Sequence, residues 1–506
     1  MVTEPRAPGD IIEAAGYPPG QGTAKRTYDP RLTNEDLAPL KNQSWRSYNI
    51  FAFWMSDVHS VGGYLTAGSL FALGLTSWQV FVCLIAGICI VQFFCNLVAK
   101  PSQVAGVPYP VISRVSFGVL GANIPAIIRG LIAVAWYGVQ TFLAAESLNI
   151  VFLKLWPSLG PWADADVHGF LGLSLLGYVS FAILWFAQAA LFWRGMETIR
   201  KFIDLAGPAV YVTMLLLCAY LLVKSDFAID LNLSNHSLSG WTTVGTMLGA
   251  IALVVSYFSG PMLNFGDFAR YGRSFDSVKK GNFWGLPVNF VFFSLLTVLT
   301  AGATVPVYGE LLTDPIKTVE RIDSTFAILL GAATFVTATV GINIVANFIS
   351  PAFDFSHVSP QKISWRMGGM IAAVGSVILT PWNWYNNDTA IHYTLGILGA
   401  LIGPLFGILI ADYYLIRKQK LVVDDMFTLA EDGAYHYRKG YNPAAVQSVI
   451  AAGLVSVASV LVPRWIDAAL WISDYSWFIG CGVGFALYTV LAKRAGVARS
   501  VAELVA

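Results

Sequence analysis

The chain has 506 residues, 56% of them hydrophobic and only 12% charged, with a formal net charge of +1. Soluble domains carry about 25% charged residues, so half the usual charge is missing. Together with a mean hydropathy of +0.62, this excludes an ordinary soluble enzyme, and near-neutrality argues against a nucleic-acid partner.

Residues 1–46 are polar and rich in Pro and Gly. They predict a disordered cytoplasmic tail ending in an amphipathic stretch around Trp45. No cleavable signal peptide is expected there, so the first apolar segment would itself direct insertion. Twelve segments then offer the roughly 20 mostly apolar residues that a spanning helix needs. Their centres lie near Val58, Gly87, Trp136, Ser180, Thr213, Tyr257, Phe292, Thr339, Val374, Gly403, Gly453 and Gly482. The chain thus reads as an all-α integral membrane protein, with a transporter domain over 47–492 and a C-terminal tail at 493–506. Of its 31 basic residues, 25 fall in the two tails and in linkers after even-numbered spans. Basic residues concentrate in cytoplasmic loops, which predicts cytoplasmic termini on a protein of the cell (inner or plasma) membrane. The five cysteines lie inside apolar runs without metal-ligand spacing and read as small core- or lipid-facing residues.

Span one, NIFAFWMSDVHSVGGYLTAGSLFALG, carries Asp57 and His59 at its centre, then Gly62 and Gly63. Ionisable groups at membrane depth survive where they face a protein interior or a water-filled cavity. A helix break there is tolerated on the same condition. A glycine-kinked helix with satisfied polar groups is the plainer alternative to a broken helix at a substrate or ion site. Span three holds Trp136 and Gln140 four residues apart on one face, suited to stacking and hydrogen-bonding a planar ring. A helix–helix hydrogen bond beside a packed tryptophan would also explain them.

Span six is interrupted by Ser259-Gly260-Pro261, five spans after the first break. Broken segments at matching positions of two halves point to inverted repeats. Repeat one would run from about 47 to 225 and repeat two from about 240 to 418, with helices eleven and twelve appended at about 443–492. Phe258 stands at the second break. Asp267 and Arg270 read as a structural ion pair near the cytoplasmic mouth. Arg129, displaced inward from Trp136, reads as a snorkelling side chain, and Glu146 falls at the outer interface. Asn343 and Asn347 share a face of span eight, and the glycines of span ten serve close packing or a hinge. No HExxH or GxSxG motif occurs, and the chain has no Gly-Lys dipeptide for a Walker A loop. Gradient-driven transport is left ahead of enzymatic or ATP-driven activity.

The strings LTNEDLAPL, GVPYPVISRVSFGVLGANIPAIIRG, AWYGVQTF, NIVANFISPAF and GPLFGILIADYYLIRK resemble the nucleobase:cation symporter family, type one, and most of all its bacterial allantoin-permease branch. The resemblance runs from about residue 32 to 490. It implies twelve helices in a LeuT-like five-plus-five inverted repeat with two appended. It also implies a ligand held between aromatic plates by amides, at Trp136, Phe258, Gln140 and Asn347, with Ser60 at the span-one amide position. Phe258 and Ser60 depart from the tryptophan and amide of the hydantoin and allantoin relatives, which favours a smaller base such as uracil. The family's sodium positions fall on Ser56, His59 and Ala338 as carbonyl ligands, and on Gly341 and Ile342 where hydroxyls are expected. Without those hydroxyls a proton is favoured slightly over Na+ as the coupling ion, with Asp57 and His59 as titratable groups.

The sequence therefore predicts a secondary active symporter importing a small planar heterocycle, as a monomeric functional unit in lipid, without a cofactor beyond the coupling Na+ or H+. An uncoupled facilitator or channel, or a substrate-sensing transceptor, is the alternative.

Overall fold

The computed structural model describes residues 27–59, 61–230, 238–322, 324–385, 388–466 and 471–497. Among them, ten helices are long and apolar enough to cross a membrane. Spans two to five are Ser77–Ala105, Asn123–Leu155, Leu175–Trp193 and Met196–Lys224. Gly240–Tyr257, Phe275–Tyr308 and Thr325–Val358 begin span six and form spans seven and eight. Gly396–Ile416, Pro443–Leu461 and Ser476–Arg494 give spans ten to twelve. Span one is divided into Ser47–Val58 and Val61–Ser69, and span nine is the shorter apolar helix Trp365–Ile378. All twelve expected spans are thus present, and the strands found among the described residues are a two-residue ladder at Gly169–Phe170 and Leu173–Ser174.

The helix ends follow local chemistry. Span two opens on a capping box between Thr76 and Gln79 and closes at Gly106, whose φ of 69° is left-handed. A side chain at Gly106 would meet the Leu40 backbone nitrogen at 3.1 Å, so both conformation and space demand glycine. Span six stops at Phe258 (φ −82°, ψ 0°) and resumes as the short helix Ser259–Leu263. Proline at 261 supplies no N–H to the helical ladder. Three spans carry π-turns, at Trp284–Val288, Asn343–Ile349 and Ala411–Ile416. Such turns often sit at functional sites.

The packing exchanges the two repeats. Span two packs on span six, and span seven on span one. Span three meets span nine, and span eight meets span four. Span five lies against span eight, and span ten against span three. Span one contacts span five, and the second half of span six contacts span ten. Shifting every span by five, up from the first repeat and down from the second, turns each pair into its counterpart, while spans three and eight pair with each other. This relation defines the five-plus-five inverted repeat, and it brings both breaks to the middle.

Spans ten to twelve pack through glycine. A Cβ on Gly403 would lie 2.3 Å from the Trp477 carbonyl oxygen, and one on Gly407 2.1 Å from that of Cys481. These span-ten glycines therefore serve close approach of backbones.

The expectation of a structureless tail over 1–46 is corrected for its second half; residues 1–26 lie outside the described residues. Residues 27–46 form a strap across one face. Leu32, Leu37, Leu40 and Trp45 are buried. Arg270 donates to the carbonyls of Asp36 and Ala38 at 2.8 Å, and Arg114 to that of Leu32 at 2.7 Å. Leu40 N–H bonds Gly106 O at the end of span two, and Trp365 N–H bonds Asp36 at the start of span nine. The strap therefore holds elements of both repeats. Arg270 is spent on these carbonyls, while Asp267 accepts the Tyr109 N–H at 2.7 Å. This corrects the expected Asp267–Arg270 ion pair. Arginines from distant spans, capping a polar segment's backbone, hold what composition alone would leave loose.

Candidate functional site

The two breaks and spans three, eight and ten enclose a cavity of about 540 Å³, a figure that includes its open mouth. Aromatic rings line one side. Trp136 meets Tyr257 edge-on (centroids 6.3 Å, planes 87°), and Tyr257 meets Phe258 in the same way (5.2 Å, 82°). The polar lining comes from Asp57, Arg129, Gln140 and Asn347. Three polar atoms in this lining are buried and lack a hydrogen-bond partner among the described residues: Asp57 Oδ1, Gln140 Oε1 and Arg129 Nη1. An unmade bond at a buried polar atom costs roughly 1–3 kcal/mol, so the folded cavity is primed for a ligand that supplies the missing partners.

Each lining group has a structural support. Gln140 reaches the first break because that break is glycine: a Cβ on Gly62 would stand 3.1 Å from Gln140 Nε2 and 3.0 Å from the Tyr257 hydroxyl. Asn347 sits in the π-turn of span eight and donates to Asn343 Oδ1 at 3.2 Å. Asn343 is absent from the lining and acts as the anchor. Its amide nitrogen lies 3.1 Å from Tyr137 O, 2.9 Å from Thr141 Oγ1 and 2.8 Å from Gln188 Oε1.

The structure gathers Trp136, Gln140, Phe258, Asn347 and Asp57 of the sequence-derived site around one cavity, and Ile342 with them. Ser60 lies outside the described residues. Ser56 and Gly341 face each other across spans one and eight, with the Ser56 hydroxyl 4.0 Å from where a Gly341 Cβ would be. The Ser56 hydroxyl points to the Ile203 carbonyl on span five at 3.5 Å. Ala338 is buried on span eight and is not in the lining. His59 separates from the rest. Its Nδ1 bonds the Tyr64 hydroxyl at 2.9 Å and its Nε2 the Asn289 Oδ1 at 3.1 Å, with Phe293 and Tyr211 edge-on to the ring. Asn289 Oδ1 only accepts, so Nε2 carries the proton and Nδ1 accepts from Tyr64. The side chain ties the first break to span seven rather than to the cavity.

Among the lining residues that sequence reasoning did not assign to the site are Tyr257 and Arg129. Tyr257 precedes Phe258 at the break, and adjacency was its signal. Arg129, expected to snorkel, is instead 1% exposed. It donates from Nε to Asn264 Oδ1 (3.2 Å) and from Nη2 to Ala346 O (3.1 Å). Its signal was spacing: Arg129, Trp136 and Gln140 are separated by seven and four residues, one stripe of a helix.

Residues 38–480 match the family described as permease for cytosine/purines, uracil, thiamine, allantoin. The chain is 33% identical to an allantoin permease of Bacillus subtilis, over 92% of this chain and 94% of that one. The chain belongs to this permease family. It is therefore a multi-pass membrane transporter and not an enzyme. It is also 32% identical to a purine-uracil permease of Arabidopsis thaliana, over 89% of this chain and 74% of that one. In fold it is similar to Mhp1, a nucleobase-cation-symport-1 family transporter solved in a closed conformation with bromovinylhydantoin bound. That likeness has a TM-score of 0.73 at 21% identity and covers 92% of this chain and 96% of that one.

Proposed function

We propose that this permease is a secondary active symporter importing a planar nucleobase- or allantoin-type heterocycle by alternating access, with both termini in the cytoplasm. One observation carries the reading. At the two helix breaks, a cavity sided by Trp136, Tyr257 and Phe258 presents buried polar atoms without partners among the described residues. Rings supply the face, and the amides of Gln140 and Asn347 supply ring-edge hydrogen bonds.

For coupling, a proton remains the favoured ion. Asp57 lies on the broken helix, faces the cavity and has an unpartnered oxygen. A change in its charge alters the environment of both substrate and hinge. Sodium is the second reading, favoured by one observation: the Thr339 hydroxyl on span eight is buried and has no partner among the described residues, which leaves one hydroxyl oxygen for an ion. Purified protein in liposomes, assayed with radiolabelled uracil and allantoin, tests the proposal. Saturable uptake driven by an inward proton gradient, unchanged when choline replaces sodium and lost in Asp57→Asn, is expected. Uptake that follows external sodium at fixed pH would move the assignment to sodium. Absence of accumulation under either gradient would overturn symport.

A further inference from the structure

We propose that the gap between spans two and ten, at the basic end of the bundle, is a lipid site: it takes one acyl chain of an anionic phospholipid whose phosphate rests on Lys100. This site is separate from the central cavity, and neither its ligand nor its test depends on the solute carried.

Two helix irregularities meet here. Pro101 lies inside span two and supplies no N–H, so the Leu97 carbonyl one turn earlier loses its helical donor. The Tyr414 hydroxyl replaces it, donating to Leu97 O at 3.0 Å. Tyr414 belongs to the π-turn Ala411–Ile416 of span ten, after which Arg417 N–H reaches back to Asp412 O at 2.8 Å. The space left between them is a cavity of about 370 Å³, a figure that includes its open mouth. Val98, Ile112 and Val115 form a buried floor, and the part-exposed Leu97, Leu409 and Leu421 form the rim. Of the polar groups in the lining, the Tyr414 hydroxyl is spent on Leu97 and the Ser116 hydroxyl donates to Asp412 at 3.2 Å. A space so lined suits hydrocarbon better than water, which needs several polar partners.

The mouth carries the charge. Residues 415–420 join the lining residues Tyr414 and Leu421, and Gln419 N–H folds back onto Tyr413 O at 2.8 Å. Lys100, next to the lining residue Pro101, donates to Gln419 Oε1 at 2.5 Å. Its ammonium therefore sits on the loop that closes the cavity. That nitrogen lies 5.8 Å from the Phe275 ring centroid and the Lys279 nitrogen 5.5 Å from the same centroid, so the two cations are no more than about 11 Å apart. Asp276 binds Lys280 at 2.9 Å and approaches Lys279 only to 4.0 Å. No carboxylate among the described residues pairs with Lys100, whose bond is to a neutral amide. A part-buried ammonium without a counter-charge draws an anion, and at the edge of a bilayer the anion within reach is a lipid headgroup. Hydrocarbon-lined space with cations at its mouth matches the two halves of one amphiphile, whereas a free phosphate matches only the second.

Native mass spectrometry and thermal unfolding of the full chain in detergent test this. The probes are dioleoyl phosphatidylglycerol, dioleoyl phosphatidylcholine and the water-soluble headgroup glycerophosphoglycerol. One phosphatidylglycerol is expected to bind saturably and to raise the unfolding temperature, and the headgroup alone to do neither. Each lysine near an anionic headgroup contributes about fivefold, so Lys100 and Lys279 together should favour phosphatidylglycerol over phosphatidylcholine by about 25-fold. Lys100→Gln should lower that preference to about fivefold, and Lys100→Arg, which keeps the charge, should preserve it. Leu97→Phe and Leu421→Phe fill the cavity from two walls and should abolish saturable binding of both lipids. Equal binding of the two lipids by wild type, or a preference unchanged in Lys100→Gln, would overturn the proposal. A preference that survives both fillings would place it on surface charge alone and overturn it as well, as would saturable binding of the headgroup without its chains. Should a filled variant fail to fold, the other and the comparison of wild type with Lys100→Gln still decide.

Discussion

Asn343 offers the sharpest test of how the site is held, because it touches no cavity space and yet positions Asn347. Its amide carries two hydrogens and faces three acceptors, Tyr137 O, Thr141 Oγ1 and Gln188 Oε1, so two bonds are made at a time. Interhelical hydrogen bonds in membranes average about 0.6 kcal/mol, giving about 1.2 kcal/mol for the pair. Replacement by leucine also strands Gln188 Oε1, a buried acceptor worth roughly 1–3 kcal/mol when unpaired. Asn343→Leu should therefore lower stability by about 2–4 kcal/mol. It should also weaken ligand binding about tenfold through a released Asn347. Gln188→Leu removes only one acceptor and should cost less than about 1.5 kcal/mol. Denaturant unfolding in detergent, with binding measured on the same preparations, reads both quantities. If the two sites are coupled, the double variant will be less destabilised than the sum of the singles. Strict additivity, or binding by Asn343→Leu within twofold of wild type, would refute the anchoring argument.

Two further outcomes follow from the same geometry. Phe258→Trp enlarges the aromatic wall beside Tyr257 and should shift uptake preference from uracil toward larger hydantoin-like rings, read as a changed ratio of competition constants; a uniform loss would mean the ring only packs. Gly403→Ala drives a Cβ into the Trp477 carbonyl and should cost at least the roughly 1–3 kcal/mol of an overpacked core. Gly399→Ala, with nothing within 4 Å of its Cβ position, should leave the unfolding temperature unchanged.

Much of the fold was legible because bilayer physics writes it plainly. Long apolar runs gave the spans, and the Gly62-Gly63 and Ser259-Gly260-Pro261 interruptions five spans apart gave the repeats. Trp136 and Gln140 were reachable from their shared helical face, whereas Phe258 and Asn347 as ligand positions came from the family resemblance. Arg129 was misjudged because depth was counted outward from Trp136. Span three has 33 residues, more than a bilayer requires, so seven residues from its middle is still interior. His59 was misjudged for a different reason. Residues two apart on a helix do not share a face, so Asp57 toward the cavity leaves His59 toward span seven. The strap over 27–46 was illegible, because its hold comes from Arg114 and Arg270, far along the chain.

The strap also breaks a balance. Contacts between the repeats come in exchanged pairs, so in the proposed alternating-access cycle a tilt of the inner bundle would replace each contact by its counterpart. Residues 27–46 belong to neither repeat and have no counterpart among the described residues on the opposite face. They act as a weight on one pan, favouring the conformer in which the face they cross stays shut. Every 1.4 kcal/mol of that hold multiplies the population ratio by ten. In the proposed cycle, a short segment outside both repeats would bias the state from which each turn begins.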